Sequence, residues 1–378
     1  MESPTDVDHP QHEDEPTFGY TYSPGLAESL EQAGVTLLVS TYQAGKLCVF
    51  RSSDGRLTML PRTFDKVMGL AADPTRIAIA TRYQIWFLRN EPILAPKIKP
   101  LDTHDACFVP RSSHITGNID AHEIGWAGDE LWIVNTQFSC LCTLDPDYSF
   151  VPRWWPPFVS NLARQDRCHL NGLAIAAERP VYATAFSATD TPEGWREHKL
   201  DGGCVIDVAS GEIVARGFSM PHSPRVRQDR LWLLDSGNGS LVTVNVESGQ
   251  TDVVANLPGY TRGLSFFGRY AFVGLSRIRE TAVFGGAPIA ERPDDRKCGV
   301  WVIDTESGHT VGFIEFQQTV DEIFDVQVLP NVRYPAVIGM EKDTIQRACV
   351  IGPPRPLQER PTTGRSIARL DRESAPSE

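Results

Sequence analysis

Three stretches of this chain lie over one another without a gap: LLVSTYQAGKLCVF (37–50), LWIVNTQFSCLCTL (131–144) and LWLLDSGNGSLVTV (231–244). Each is two apolar runs around a short polar corner, so the corner belongs to a repeated structural unit before it belongs to an active site. Between residues 35 and 350 the pattern continues as short strands separated by Gly, Asp, Asn and Ser turns, with almost no helical periodicity. Phrases such as IDVASGEIV, VNVESGQTDVV and IDTESGHTV read as hairpins: an alternating strand, a tight Ser-Gly turn and a second strand. Many even strands in a register of roughly 40–60 residues predict an all-β fold, a β-propeller.

With strands lettered A to D from the channel outward, strand A starts near Lys66, His122, His169, His222, Tyr260 and Glu322. KVMGL, HEIGW, HLNGL and YTRGL share a Gly three residues on, which HSPRV and EIFDV replace with Arg225 and Asp325. That gives six inner strands. The unit at 35–64 has B, C and D but no A, while FDVQVLP near the C-terminus is an A without partners. Joining them closes a six-bladed ring and removes the open sheet edge. The leftover strands PAVIG and ACVIG (335–351) would pad the closing blade or make a seventh.

The expected organisation is an acidic, Pro-containing tail over 1–20, one propeller domain over 30–353 and a second polar tail over 354–378. The net charge of −12 argues against nucleic acid and anionic membrane as partners. No apolar run approaches the roughly 18–20 residues that span a bilayer. The N-terminus reads as neither a signal nor a transit peptide, and the eight scattered cysteines then read as reduced thiols in a cytoplasm. Cys168 beside His169 is a nucleophile only if a triad surrounds it, and none is visible nearby. Ser-x-x-Lys and Gly-x-Ser-x-Gly motifs are absent.

In a propeller the D–A and B–C loops share one face. The segments 186–202 and 276–297 are long B–C loops, 153–168 is a D–A connection, and 90–121 also ends at an A strand. All four are expected on the face that carries the A-strand entrances, and loops gathered on one end of a rigid scaffold usually form its functional end. His122, His169 and His222 start consecutive A strands there. Three imidazoles converging on one point suit Zn²⁺, Fe²⁺, Cu²⁺ or Mn²⁺ with open positions for water and substrate. Around them, Glu322 and Tyr260 would serve acid–base steps, Glu123 would orient an imidazole, and Arg225, Arg262 and Lys66 would hold an anionic part of the substrate. The bland alternative is that channel histidines are satisfied by water and backbone. His114 and His198 stand in the face insertions. In RWWPP, packing is expected for one Trp and exposure for the other.

The segments STYQAGKL, MGLA, WFLRN, VPRSSHITGNIDAHEI and CHLNGLA resemble a bacterial family of conserved hypothetical β-propeller proteins, with TYQAGKL the distinctive part, over about residues 30–340. That resemblance implies the fold and its boundaries but no agreed reaction. In outline the chain is also similar to the peptidyl-hydroxyglycine amidating lyases, six-bladed propellers that hold zinc with three histidines. The gluconolactonase-like propellers, which use carboxylates and amides, fit this histidine pattern less well.

The sequence therefore leads to a metal-dependent propeller enzyme of lyase, hydrolase or oxidase type, acting on a small or peptide substrate with an anionic group. The alternative is a non-catalytic scaffold that binds a protein or peptide through its loop-rich face. Burial of Trp154, Trp155 and Trp195 would count against the scaffold, and their exposure in one patch would favour it.

Overall fold

The structure, a computed structural model, describes residues 18–277, 286–292, 296–340 and 344–353. Its strands form six sheets, each a blade. Blade 1 joins Asp325–Pro330 to Val35–Thr41, Lys46–Ser53 and Arg56–Thr63, in that order outward. Blades 2 to 5 follow in sequence, with inner strands Leu70–Asp73, Ala121–Ala127, Leu170–Ala176 and Pro221–Arg227. Blade 6 begins at Tyr260–Phe267.

The ring closes as the repeat implied. Asp325–Pro330 pairs antiparallel with Val35–Thr41, Val35 opposite Pro330 and Ser40 opposite Asp325. The chain ends are thereby locked into one sheet with no free edge between them.

Two additions differ from expectation. Ala336–Val337, within PAVIG, neither pads the closing blade nor starts a seventh; it lies parallel to Cys107–Ile115 on the outer edge of blade 2. The ring also takes in residues ahead of position 30. Tyr20–Tyr22 pairs with the outer strand of blade 6, Thr310–Phe316, as a fifth strand. The helix Leu26–Ala33 then buries Leu26, Ala27 and Leu30 against the seam between blades 6 and 1.

The core is a set of seams between neighbouring blades. On the second strand of blade 5, Leu231 and Leu233 face blade 4, while Trp232 and Leu234 face blade 6. Ile133 and Val134 divide in the same way between blades 2 and 4. Both faces of these strands are therefore dry, so they read as continuous apolar runs rather than as alternating ones. Each buried Leu or Val contributes roughly 1.5–3 kcal/mol, and the seams repeat that gain around the ring.

Around the channel, side chains of one blade bind the inner-strand backbone of the next. Glu123 accepts from the Leu173 N–H (2.8 Å), Asp325 from Leu70 (2.8 Å) and Ser223 from Gly263 (3.1 Å). Asn171 donates to the Pro221 carbonyl at 2.7 Å. These bonds satisfy backbone groups on the free edge of each inner strand, which would otherwise be buried without partners. Gly263 shows why glycine recurs at this point: its φ is +83° and a Cβ would lie 2.6 Å from the Val326 nitrogen. At Arg225 and Asp325, where the glycine is replaced, the side chains enter this network instead.

The YQAG corner is a tight turn between the second and third strands of blade 1. Gly45 has φ +61°, and a Cβ there would sit 2.9 Å from the Phe64 carbonyl oxygen. The Gly45 N–H donates to Thr41 O at 2.9 Å, and its own carbonyl accepts from Phe64.

Among the described residues no helix is long and apolar enough to cross a membrane.

Candidate functional site

The expected crowding of loops is partly realised. Residues 186–202 and the connection after Tyr148–Trp154 lie at the A-strand entrances. The excursion at 91–106 does not, because Cys107–Ile115 is the outer strand of blade 2 and the excursion joins strands C and D, on the opposite face. Of the 276–297 loop, residues 278–285 and 293–295 lie outside the described residues.

At these entrances a small cavity, partly open to solvent, is lined by His122, Asn171, His222, Ser223, Arg262 and Phe324, together with Glu123 and Asp325. Two of its walls are built by one device used twice. His122 Nδ1 lies 3.2 Å from the Asp120 carbonyl and 2.9 Å from Thr136 Oγ1. His222 Nδ1 lies 2.9 Å from the Met220 carbonyl and 2.9 Å from Ser236 Oγ. Asp120 and Met220, each two residues upstream, take φ of 53° and 49°, the left-handed conformation. Thr136 and Ser236 occupy matching places in the polar corners of the repeat.

The partners fix the tautomer. A carbonyl only accepts, and the Thr136 hydroxyl already donates to Leu170 O at 2.6 Å, so Nδ1 carries the proton. Nε2 then keeps its lone pair, and no described residue hydrogen-bonds it. Burial pushes the His122 pKa down to about 3 and that of His222 well below its ordinary value, with the Arg262 charge acting in the same direction. Both rings are neutral near pH 7.

His169 is held differently. Its Nδ1 is 2.8 Å from Asp166 Oδ2, which also accepts from Trp195 Nε1 at 3.0 Å. Burial pushes the Asp166 carboxyl up, but His169 outweighs it and the net shift is downward. The His169 ring meets that of His122 edge-on, centroids 4.8 Å apart at 82°. The Phe186 ring touches both His169 (centroids 4.3 Å apart) and His222 (5.3 Å). Among the described residues no group of three His, Cys, Asp or Glu side chains is placed to hold a metal ion.

Of the expected anion-binding residues, Arg262 alone lines the cavity. It is 6% exposed, its guanidinium lies 3.4 Å from the centroid of the Phe324 ring, and Nη1 is 3.8 Å from the Glu322 carboxylate. Its Nη2 is fully buried with no hydrogen-bond partner. Arg225 is instead engaged by Glu123, with further contacts to the Leu173 and Pro224 carbonyls. Glu123 therefore orients no imidazole. Its carboxyl, pushed up to about 7 by burial against the pull of Arg225, staples blade 3 to blades 4 and 5. Lys66 reaches Tyr42 Oη at 3.4 Å and lies over that ring, outside the cavity lining. Tyr260 is buried 5.8 Å from the His222 ring, and burial raises its phenol well above the usual value. Glu322 stands at the Arg262 side, partly exposed.

Tyr42 of the YQAG corner stacks on Phe324 at 5.4 Å, and Phe324 in turn touches His122 at 5.3 Å. The corner thus contributes to the rim of the site. His114 lies outside, near the Tyr148 and Ser149 carbonyls of blade 3, and His198 is exposed. Burial raises the Cys168 thiol far above its normal range, so it is no nucleophile. Trp154 packs into the seam of blades 3 and 4, Trp155 is 42% exposed and Trp195 is buried.

Asp166, Phe186 and Phe324 went unrecognised in the sequence, and Trp195 figured there only as a candidate surface aromatic. Phe324 sits inside EIFDV, directly after two expected positions. Asp166 and Trp195 lie in two separate insertions that only the fold brings together.

By structure, the chain resembles a chain in the crystal structure of a nidogen/laminin complex. The TM-score is 0.50 at 11% identity, covering 79% of this chain and 99% of that one. A protein of unknown function from Bacteroides caccae aligns with TM-score 0.49 at 10% identity, over 78% and 98% of the two chains. The first similarity speaks for the fold alone. No curated protein matches the sequence. The model of a domain of unknown function, DUF4915, matches residues 24–338, nearly the whole ring, and the chain belongs to that family.

Proposed function

We propose that the mouth of the channel is the active site of an enzyme acting on a small substrate with an anionic group, by hydrolytic or lytic chemistry. The observation that carries this reading is the paired anchoring of His122 and His222. A structural imidazole at a channel mouth needs only one nitrogen held by the protein, with the other left to solvent. Here the fold fixes Nδ1 twice over and leaves Nε2 of both rings as an acceptor at one cavity. Rings held so far below neutrality are poor proton acceptors, but they orient a hydroxyl or ammonium of a substrate. His169, which does not itself line the cavity but lies against the His122 ring, would take part in proton transfer only by way of that neighbour; Asp166 fixes its orientation. A scaffold built on an aromatic patch is less well supported, since Trp195 is buried and Trp154 packs into a seam.

The test is a metabolite screen by thermal shift on the full chain, with His122→Gln/His222→Gln as the comparison. Compounds that stabilise the wild type should lose that effect in the double variant. Hits that survive it unchanged would place binding elsewhere and sink the reading.

A second reading keeps the expected divalent metal. It is favoured by the Nδ1 anchors on all three histidines, the arrangement that prepares Nε2 for a metal, and by the edge-on approach of His122 and His169. It requires a rearrangement of the three rings, since among the described residues no three such side chains are placed to hold a metal ion. About one equivalent of Zn, Fe, Cu or Mn in untagged protein, lost in His122→Ala/His169→Ala/His222→Ala, would support it. Absence of metal after reconstitution would remove it.

A further inference from the structure

We infer that the cavity takes a small monocarboxylate bearing a hydroxyl or amino group close to its carboxylate, with Arg262 as the residue that binds the carboxylate. This rests on the reading of the mouth as a substrate site and names the class of substrate. The Arg262 side chain is 93% buried, lines the cavity, and leaves Nη2 without a partner among the described residues. A buried guanidinium nitrogen in that state is costly unless a ligand meets it. Phe324 stacks against the plane of the fork at 3.4 Å and so presents its edge, the geometry that a planar carboxylate matches with two parallel bonds.

The charge around the fork selects against phosphate. Arg225 is neutralised by Glu123, and Lys66 sits against Tyr42. Glu123 and Asp325 line the same cavity, and Glu322 is 3.8 Å from Arg262. With the Arg225–Glu123 pair counted as neutral, the cavity offers the single charge of Arg262 beside the Asp325 and Glu322 carboxyls, which suits one negative charge better than two.

The remaining walls ask for donors. The Nε2 atoms of His122 and His222 accept only, and Asn171 is already engaged by Pro221 O and Thr184 Oγ1. A ligand of pure acceptors leaves those lone pairs unmet; a hydroxyl or amino group meets them. Between its walls the cavity has room for about one water-sized group, so it encloses only the polar end of the ligand and the rest lies at the open mouth. A free hydroxy or amino acid and the C-terminal end of a peptide share this chemistry.

The experiment is titration calorimetry on the full chain in a carboxylate-free buffer with glycolate, glycine, acetate, glycolamide, phosphate and glycylglycine as probes. Glycolate or glycine should bind at least about tenfold more tightly than acetate, which lacks the donor, and than glycolamide, which lacks the charge. Phosphate should not compete. Tighter binding of glycylglycine than of glycine assigns the ligand to a peptide C-terminus, and the reverse to a free acid. Arg262→Gln should abolish the preference for glycolate over glycolamide. If that variant does not fold, the wild-type series decides alone, since glycolate and glycolamide differ chiefly in charge. Equal binding of glycolamide, acetate and glycolate, or displacement by phosphate, would overturn the carboxylate assignment while leaving the site reading intact. Binding of no probe at all would overturn both.

Discussion

Arg262 lies over Phe324, its guanidinium carbon 3.4 Å from the ring centroid, and this contact joins the inner strand of blade 6 to the residue just ahead of the closing strand of blade 1. A cation held against an aromatic face away from water contributes about 2 kcal/mol. Phe324→Leu should therefore lower stability to urea by about 2–3 kcal/mol, adding lost packing to the lost ring. It should also weaken whatever ligand Arg262 binds. A variant as stable as wild type would show that the contact does not hold the fork.

The Arg225–Glu123 pair makes a second prediction. Removing one partner from a buried ion pair leaves an uncompensated charge and costs about 3–5 kcal/mol, whereas removing both costs far less. Arg225→Met should be strongly destabilised in denaturant titration, and Glu123→Gln/Arg225→Met should recover most of the loss. Equal effects would mean that the pair is not energetically coupled.

Stability should depend on pH through the two neutral rings. Their folded pKa values lie below the unfolded value of about 6.5, so between that pH and about 3 the unfolded chain binds a proton that folded His122 does not. His122 then makes stability fall with acidification by about 1.4 kcal/mol per pH unit over that window, and His222 acts in the same direction below its unfolded pKa. Glu123 acts oppositely between about 4.5 and 7: its raised pKa stabilises the fold at the acid end, and that contribution is lost as pH rises. His222→Gln should flatten the acid-side slope by about one proton relative to wild type. An unchanged slope would place His222 in contact with solvent.

Gly45→Ala should be destabilised by about 1–3 kcal/mol, because φ of +61° and a carbonyl oxygen 2.9 Å from the new Cβ both oppose it. The loss should appear as a lower urea midpoint with an unchanged slope. A neutral result would show that the corner can relax.

The ring was legible in the sequence because its strands are dry on both faces: runs such as LWLLD and LLVST carry the blade signal locally. The convergence of His122 and His222 was legible for the same reason, since one strand offset places both. What the sequence hid depends on partners far along the chain. Arg225 and Glu123 are 102 residues apart, and nothing local reveals that they neutralise each other. Asp166 and Trp195 meet only when two insertions fold together. The 90–121 segment was misplaced because only the first three residues of the outer strand CFVPRSSHI are apolar and buried, too short a run to mark a strand within a long polar segment.

The central claim is that His122 and His222 offer unprotonated Nε2 atoms to the cavity. Long-range ¹⁵N–¹H spectra of the imidazole rings, recorded from pH 8 to 5 with His122→Gln and His222→Gln for assignment, test it directly. Both rings should show the Nδ1–H tautomer throughout that range without titrating, and a bound ligand should move their Nε2 resonances. An Nε2–H tautomer, or a midpoint near 6.5, would contradict the account.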